Sequence, residues 1–226
     1  MMIKICGLRE TEHAQAAAEA GADLLGFVFA PTRRYIAPGV VAAIAGKLPR
    51  AIPLVGLFVD ERPDFVRSTV EACSLAYAQL CGSESIEYCR ALGVPFVRSF
   101  RVRGRDVVDE VERYAAFSAW CHLDAYVPSA YGGTGTSFDW TVARLVTTRH
   151  RAMVAGGLTP GNVGDAIRIA QPWGVDVSSG VETGGRKDVD KIVAFVSAAR
   201  RAARALDQLT DGLARTRDDV GPGVTE

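Results

Sequence analysis

The sequence has no long apolar run, no surplus of charge of either sign and few cysteines, and each of these absences excludes a class of protein. The longest apolar runs, such as residues 24–31 and 51–59, are far shorter than the ~20 residues that a membrane-spanning helix needs. Residues 1–7 run directly into a polar segment without a cleavage-like region, which is not the pattern of a secretory signal. We therefore expect neither a membrane-bound nor a secreted protein.

The charges and the cysteines exclude two further classes. The net charge is zero because 26 Lys and Arg balance 26 Asp and Glu, whereas proteins that track nucleic-acid phosphates carry a clustered cationic surplus. No nucleic-acid partner is expected. The five cysteines, at positions 6, 73, 81, 89 and 121, are odd in number and widely spaced, which does not suit a disulfide framework. They predict reduced thiols in a cytoplasmic protein.

What the sequence does contain is an alternation of short apolar runs with longer segments of helical periodicity. Eight runs predict strands: Ile3–Cys6, Leu24–Phe29, Pro53–Val59, Ala76–Leu80, Pro95–Phe100, Trp120–Asp124, Ala152–Ala155 and Val175–Val177. Because whole helices separate the runs, each strand must return through a crossover to a parallel neighbour. Eight units of about 26 residues predict an α/β fold, a single closed (β/α)8 TIM barrel; an open doubly wound sheet is the alternative.

The pattern also predicts how the chain is divided. No segment between the eight units has the composition of an interdomain linker, so residues 1–206 are expected to form one catalytic barrel domain. Residues 207–226 lose their periodicity and become polar, which predicts a flexible carboxyl-terminal tail without a site.

The residues that directly follow the strands are the candidates for chemistry, because a parallel barrel builds its active site at the carboxyl ends of its strands. Two loops rich in Gly or Ser, Gly156-Gly157 and Ser178-Ser179-Gly180, follow the seventh and eighth runs. Glycine lets the backbone approach an anion, and a following helix directs N–H groups at it. Two such loops on adjacent strands predict a phosphate site, although a glycine pair alone could simply form a tight turn.

Three side chains at other strand ends complete the candidate site. Cys6 ends the first run, and its ordinary pKa of ~8.5 means that a catalytic thiol there would need activation. Asp124 ends the sixth run and has no adjacent helix to cap, since a Gly-rich segment over 125–135, which resembles a covering loop, separates it from the next helix. The pair Arg33-Arg34 follows the second run, and one of its guanidiniums could hold a substrate carboxylate through two parallel hydrogen bonds, or the pair could merely be solvated.

Strand parity predicts which side chains lie beneath these candidates. If Cys6 points into the barrel mouth, then Lys4 and Asp176 point inward one layer below, and burial would be costly unless they pair. We expect a contact between Lys4 and Asp176, with His122 on the same interior face. No metal site is expected, because the chain has no C-x-x-C pair and the adjacent Cys121 and His122 would point to opposite faces of a strand.

Taken in order along residues 3 to 205, these motifs resemble the phosphoribosylanthranilate isomerase family. The motifs are Lys4-Ile5-Cys6-Gly7, Glu19-Ala20-Gly21-Ala22-Asp23, Gly26-Phe27-Val28-Phe29, Arg34-Tyr35, Val55-Gly56-Leu57-Phe58-Val59, Gln79-Leu80, Leu123-Asp124, Gly132-Gly133-Thr134-Gly135, Phe138-Asp139-Trp140, Ala155-Gly156-Gly157-Leu158 and Val175-Asp176-Val177-Ser178-Ser179-Gly180-Val181-Glu182. One departure is Cys81, where members usually carry His, so no catalytic role is assigned to that position.

The resemblance implies an enzyme of tryptophan biosynthesis that converts N-(5-phosphoribosyl)anthranilate to 1-(2-carboxyphenylamino)-1-deoxyribulose 5-phosphate by an Amadori rearrangement, without metal or organic cofactor. It implies that Cys6 is the general base, Asp124 the general acid and Arg34 the contact to the anthranilate carboxylate. The phosphate would be held by two loops, Gly156-Gly157 and Ser178-Ser179-Gly180. Members of the family occur as monomers, dimers and fusions, so a monomer or a homodimer is expected.

The sequence leaves two other functions as alternatives. The related isomerase of histidine biosynthesis performs the same rearrangement on a phosphoribosyl-formimino substrate, but it uses two aspartates and two phosphate sites, whereas this chain has Cys6 at the first catalytic position. A barrel that binds phosphate without catalysis is the second alternative. The presence of Cys6, Asp124 and Arg34 at three separate strand ends argues against it.

Overall fold

The computed structural model describes residues 1–49, 51–125 and 138–218, with side chains up to residue 209. Eight strands alternate with helices: β1 Met2–Ile5, β2 Leu24–Val28, β3 Leu54–Phe58, β4 Tyr77–Leu80, β5 Phe96–Val102, β6 Cys121–Ala125, β7 Ala152–Val154 and β8 Gly174–Val177. Each strand pairs in parallel with the next, and β8 pairs with β1, so the sheet is closed. The predicted (β/α)8 barrel is therefore confirmed, and the open sheet is excluded.

The predicted apolar runs coincide with the strands because both faces of each strand are covered. All five residues of β2 and all four of β8 are buried, one face by the barrel interior and the other by helices. A strand buried on both sides needs a continuous apolar run rather than an alternating one. Every predicted run overlaps its strand, with ends displaced by two residues or fewer.

The helices form the outer layer of the barrel. They are α1 Thr11–Glu19, α2 Pro38–Ala45, α3 Pro63–Ala72, α4 Ile86–Ala91, α5 Val107–Ala115, α6 Trp140–Thr147, α7 Val163–Ala170 and α8 Val189–Asp218. In α7 the buried residues are Val163, Ala166, Ile167 and Ala170, a helical spacing that places all four against the sheet. None of the described helices is long and apolar enough to cross a membrane.

Aromatic side chains pack at the amino-terminal end of the barrel. Trp120 lies 4.7 Å from Tyr77 and 5.1 Å from Trp173 between ring centroids, and the three residues stand at the starts of β6, β4 and β8. With this end filled, the interior space that can hold a ligand lies at the carboxyl ends of the strands.

Two features of the carboxyl-terminal part differ from the sequence-based expectation. A small antiparallel hairpin, β9 Glu182–Thr183 and β10 Arg186–Lys187, lies between β8 and α8 and was not predicted. Helix α8 continues to Asp218, so the first twelve residues of the segment predicted to be a polar tail, 207–226, are helical. Residues 219–226 lie outside the described residues, and the division of the chain at residue 206 stays a prediction.

Candidate active site

A cavity with a volume of about 540 Å³ opens at the carboxyl ends of the strands. Seven of the eight predicted site residues line it: Cys6, Arg34, Asp124, Gly156, Gly157, Ser178 and Ser179. The eighth, Gly180, is not part of the lining. It packs against the backbone of Leu158, and a Cβ at this position would overlap the Leu158 carbonyl oxygen.

Cys6 is the first residue beyond β1, and the neighbouring strands fix its position. Its backbone N–H donates to the carbonyl of Val177 in β8 at 2.9 Å. On the other side lies Gly26 of β2, where a Cβ would stand 2.8 Å from the sulfur, so this strand position must lack a side chain. Burial raises the pKa of the Cys6 thiol, and the Lys4 ammonium acts in the opposite direction.

Asp124 lies in β6, across the mouth of the cavity from β1 and beside β7. Its Oδ1 accepts a hydrogen bond from the N–H of Ala125 at 2.8 Å. Gly156 packs against this pair with a φ of +80°, and a Cβ there would overlap Ala125 and stand 2.8 Å from Asp124 Oδ1. Burial raises the pKa of the Asp124 carboxyl, which favours the protonated form that a general acid requires.

A chain of polar side chains lies beneath these two groups inside the barrel. Lys4 Nζ donates to Asp176 Oδ2 at 2.8 Å, which confirms the predicted contact. His122 Nε2 lies 2.8 Å from the same oxygen, and its Nδ1 lies 2.9 Å from Ser99 Oγ. The prediction that His122 shares the interior face is confirmed as well. These interactions compensate part of the free-energy cost of burying the charges of Lys4 and Asp176.

The loops after β7 and β8 have different supports. Asn162 holds the first loop, because its Oδ1 accepts from the N–H of Thr159 at 2.7 Å and its Nδ2 donates to the carbonyl of Gly157 at 2.9 Å. Lys187 holds the second loop, since its Nζ donates to the carbonyl oxygen of Ser178 at 2.8 Å and to Ser178 Oγ at 3.2 Å. Both loops are therefore held in shape by hydrogen bonds from buried or half-buried side chains.

Glu182 connects the second loop to Arg34, and neither Glu182 nor Lys187 was predicted to belong to the site. Arg34 Nε and Nη2 donate to the Glu182 carboxylate at 2.7 and 2.9 Å, and Lys187 Nζ donates to it at 2.8 Å. Burial alone would raise the pKa of Glu182, but the bonds from Arg34 and Lys187 outweigh it and lower the pKa to about 2. The carboxylate thus stays ionised and fixes the plane of the Arg34 guanidinium.

Two other sequence-based expectations concern the rest of the lining. Cys81 does face the cavity, but burial raises the pKa of its thiol to about 12, so it remains protonated near neutral pH. None of the five cysteines forms a disulfide.

The covering loop predicted over 125–135 lies outside the described residues, except for Ala125 at the end of β6.

A closed barrel with polar, titratable side chains gathered at the carboxyl ends of its strands defines a (β/α)8-barrel enzyme. The family model for N-(5'phosphoribosyl)anthranilate (PRA) isomerase matches residues 3–198. A curated relative from Trichlorobacter lovleyi, N-(5'-phosphoribosyl)anthranilate isomerase, is 48% identical over 203 residues, which cover 88% of this chain and 98% of the relative. The chain belongs to the N-(5'-phosphoribosyl)anthranilate isomerase family.

Solved structures agree with this assignment. Phosphoribosyl anthranilate isomerase from Thermotoga maritima superimposes with a TM-score of 0.82 at 37% identity, covering 88% of this chain and 98% of that one. A structure of the isomerase in complex with reduced 1-(o-carboxyphenylamino)-1-deoxyribulose 5-phosphate has a TM-score of 0.79 at 35% identity, with the same coverage. A further structure, also with a TM-score of 0.79 at 35% identity and the same coverage, contains monomers generated from the dimeric T. maritima enzyme.

Proposed function

We propose that this protein isomerises N-(5-phosphoribosyl)anthranilate to 1-(2-carboxyphenylamino)-1-deoxyribulose 5-phosphate, the Amadori step of tryptophan biosynthesis, with Asp124 as general acid and Cys6 as general base. The observation that carries the proposal is that these two groups line one cavity, Asp124 on β6 and Cys6 directly after β1, with the β7 and β8 loops between them. A sugar seated against those loops would have one group on each side.

The acid opens the ribose ring. Asp124 gives its proton to the ring oxygen, the bond between that oxygen and C1′ breaks, and the anthranilate nitrogen supplies the electron pair that forms an iminium at C1′. A carboxyl can do this near neutral pH only if it retains its proton, and burial moves the Asp124 pKa in that direction.

The base then removes the proton from C2′. The iminium withdraws the electrons of the C2′–H bond, the Cys6 thiolate takes the proton, and an enolamine forms between C1′ and C2′. Tautomerisation returns a proton to C1′ and removes one from the 2′-hydroxyl, which gives the ketone. Every proton in this scheme moves between substrate, side chain and water, so the proposed reaction is written without metal or organic cofactor.

The two ends of the substrate are bound by different parts of the site. Gly156, Gly157, Ser178 and Ser179 line the cavity at the β7 and β8 loops and would surround the phosphate, with Gly180 setting the backbone path of the second loop. Arg34 would bind the carboxylate of the anthranilate ring, with its guanidinium held in place by Glu182. Local donors of this kind suffice for an anionic substrate, which is consistent with a chain of zero net charge.

We further propose a cytoplasmic monomer or homodimer whose partner is this small phosphorylated substrate, with no nucleic acid or membrane partner. The five cysteines without a disulfide partner support a reducing compartment, and the zero net charge supports the lack of a nucleic-acid partner. The dimeric T. maritima relative supports the homodimer as one of the two states.

The purified protein is expected to consume N-(5-phosphoribosyl)anthranilate, followed as loss of the fluorescence of that substrate. The phosphoribosyl-formimino substrate of the histidine pathway serves as the comparison, because it undergoes the same rearrangement without an anthranilate carboxylate. Turnover of the comparison substrate alone, or of neither substrate, would remove the proposed function.

Replacing Arg34 with Lys is expected to raise KM about tenfold or more and to change kcat much less. A lysine keeps the charge but lacks the planar guanidinium with which an arginine forms two parallel hydrogen bonds to a carboxylate. A hydrogen bond to a charged group contributes about 1.5–3 kcal/mol. The matched control is Arg33→Lys, since Arg33 is exposed and also donates to Glu182, at 2.9 Å. Equal effects of the two substitutions on KM would contradict the role of Arg34.

A further inference from the structure

The ammonium of Lys4 is a buried cation that takes part in none of the proposed proton transfers. Lys4 is fully buried, and its Nζ donates a hydrogen bond to Asp176 Oδ2 at 2.8 Å. Cys6 directly follows β1 and its N–H continues the pairing with β8, so its side chain faces the same side of the sheet as Lys4 and lies one layer above the ammonium. A lysine in the centre of a barrel is uncommon because burying its charge is costly.

The surroundings of Lys4 keep it charged and in place. Burial would lower the pKa of Lys4, but the Asp176 carboxylate and Cys6 together outweigh this effect and raise the pKa above its usual value. Asp176 is itself fixed, since His122 Nε2 lies 2.8 Å from the oxygen that accepts from Lys4. Ser99 Oγ, 2.9 Å from His122 Nδ1, anchors the other side of the imidazole. The cation is therefore permanent and has little freedom to move.

The Cys6 thiol lies above Lys4 and needs a nearby cation to form a thiolate. Burial raises the pKa of Cys6, which opposes formation of the thiolate that the proposed mechanism uses. Three charged groups act on the thiol: Lys4 on β1, Asp176 on β8 and Lys187 on β10. Three further titratable groups line the same cavity: Arg34 after β2, and His122 and Asp124 on β6. Among these, Lys4 has the largest effect that favours the thiolate, and it exceeds the opposing effect of Asp176.

We propose that Lys4 is a positioning residue of the isomerase reaction: its ammonium, held by Asp176 one layer below Cys6, stabilises the thiolate of Cys6 and thereby makes this side chain a base. The inference rests on the proposed function and deepens it. When Cys6 takes the proton from C2′, its charge disappears, and the Lys4–Asp176 pair remains as a neutral ion pair. Lys4 itself gives up no proton in the cycle and touches no substrate.

The test is Lys4→Met, which keeps the unbranched shape of the side chain and removes the charge. We expect the rate of iodoacetamide alkylation of Cys6 at pH 8 to fall about tenfold or more, because one pKa unit changes the thiolate fraction tenfold. The pH at which alkylation is half-maximal should rise. Mass spectrometry of the Cys6 peptide separates this thiol from the other four. We expect kcat to fall in parallel with alkylation, and KM to stay within about twofold of the wild-type value.

A second variant and a control separate the thiolate effect from loss of structure. Lys4→Met combined with Asp176→Asn removes both charges of the pair, so no carboxylate is left buried without its cation. It should fold and should still alkylate more slowly than wild type, since Lys4 has the larger effect. The control is Arg200→Met, because Arg200 forms an ion pair with Asp23 at 2.7 Å outside the barrel mouth. It should lower stability without moving the alkylation profile.

An unchanged alkylation profile in folded Lys4→Met, or in the double variant if the single one does not fold, would overturn the proposal. A fall in kcat without a shift of the profile would do the same, because it would make Lys4 a structural residue only. Alkylation needs no substrate. Failure of the wild type to turn over N-(5-phosphoribosyl)anthranilate is therefore a separate result, which counts against the proposed function and not against the assignment of Lys4.

Discussion

Replacing Asp124 with asparagine is expected to lower kcat by about three orders of magnitude, within the range of 10²–10⁴ that general acid catalysis contributes. The amide keeps the shape of the side chain and can still accept from the N–H of Ala125, but it has no proton to give to the ring oxygen. The measurement is the steady-state loss of N-(5-phosphoribosyl)anthranilate fluorescence. Because binding is left intact, KM should change by no more than about threefold.

The control for this substitution is Asp139→Asn. Asp139 is also an aspartate that accepts a backbone N–H bond, from Thr141 at 2.9 Å, but it caps α6 and does not line the cavity. It should retain full activity. If Asp124→Asn keeps more than about a tenth of the wild-type kcat, Asp124 is not the acid.

Replacing Cys6 with alanine is expected to lower kcat by a similar factor, about 10²–10⁴, since no other group could take the proton from C2′ at the same place. The change removes a single sulfur, and the backbone bond of residue 6 to Val177 is unaffected. The folded state should therefore persist, which a thermal melt can show. Turnover is measured in the same fluorescence assay.

Cys81→Ala is the matched control for Cys6, because both cysteines line the same cavity. Burial raises the pKa of Cys81 to about 12, and the groups that act on it include Glu84 and Asp124, which disfavour the thiolate further. Its removal should change kcat by no more than a few-fold. Equal losses in the two alanine variants would mean that the cavity as a whole, and not a single thiolate, limits the rate.

The Lys4–Asp176 contact shows how far sequence reasoning can reach into the site. The prediction needed only the alternation of side chains along a strand and the neighbour relation of the first and last strands in a closed barrel. In the structure Lys4 and Asp176 are direct register partners between β1 and β8. Regular strands preserve such parity, so residues on them can be placed without coordinates.

Glu182 and Lys187 were missed for the opposite reason. They lie on strands of two residues each, and strands that short leave no apolar run or alternation to detect. The Gly184-Gly185 pair between them is typical of a tight hairpin and was the one available indication. That the hairpin then folds back so that Glu182 meets Arg34, 148 residues earlier in the chain, follows only from tertiary packing.

The sequence by itself determined the strands and the residues at their carboxyl ends, because the hydrophobic pattern of a strand buried on both faces is continuous. The number of units favoured a closed barrel over an open sheet, and the pairing of β8 with β1 decided between them. The lack of a long apolar run, of a charge surplus and of a disulfide pattern had already argued against a membrane-bound, a nucleic-acid-binding and a secreted protein. Only the tertiary structure decided the electrostatic state of the site. Which thiol gains a buried cation, and which arginine is held by a carboxylate, depend on distances of about 3 Å between residues far apart in the chain.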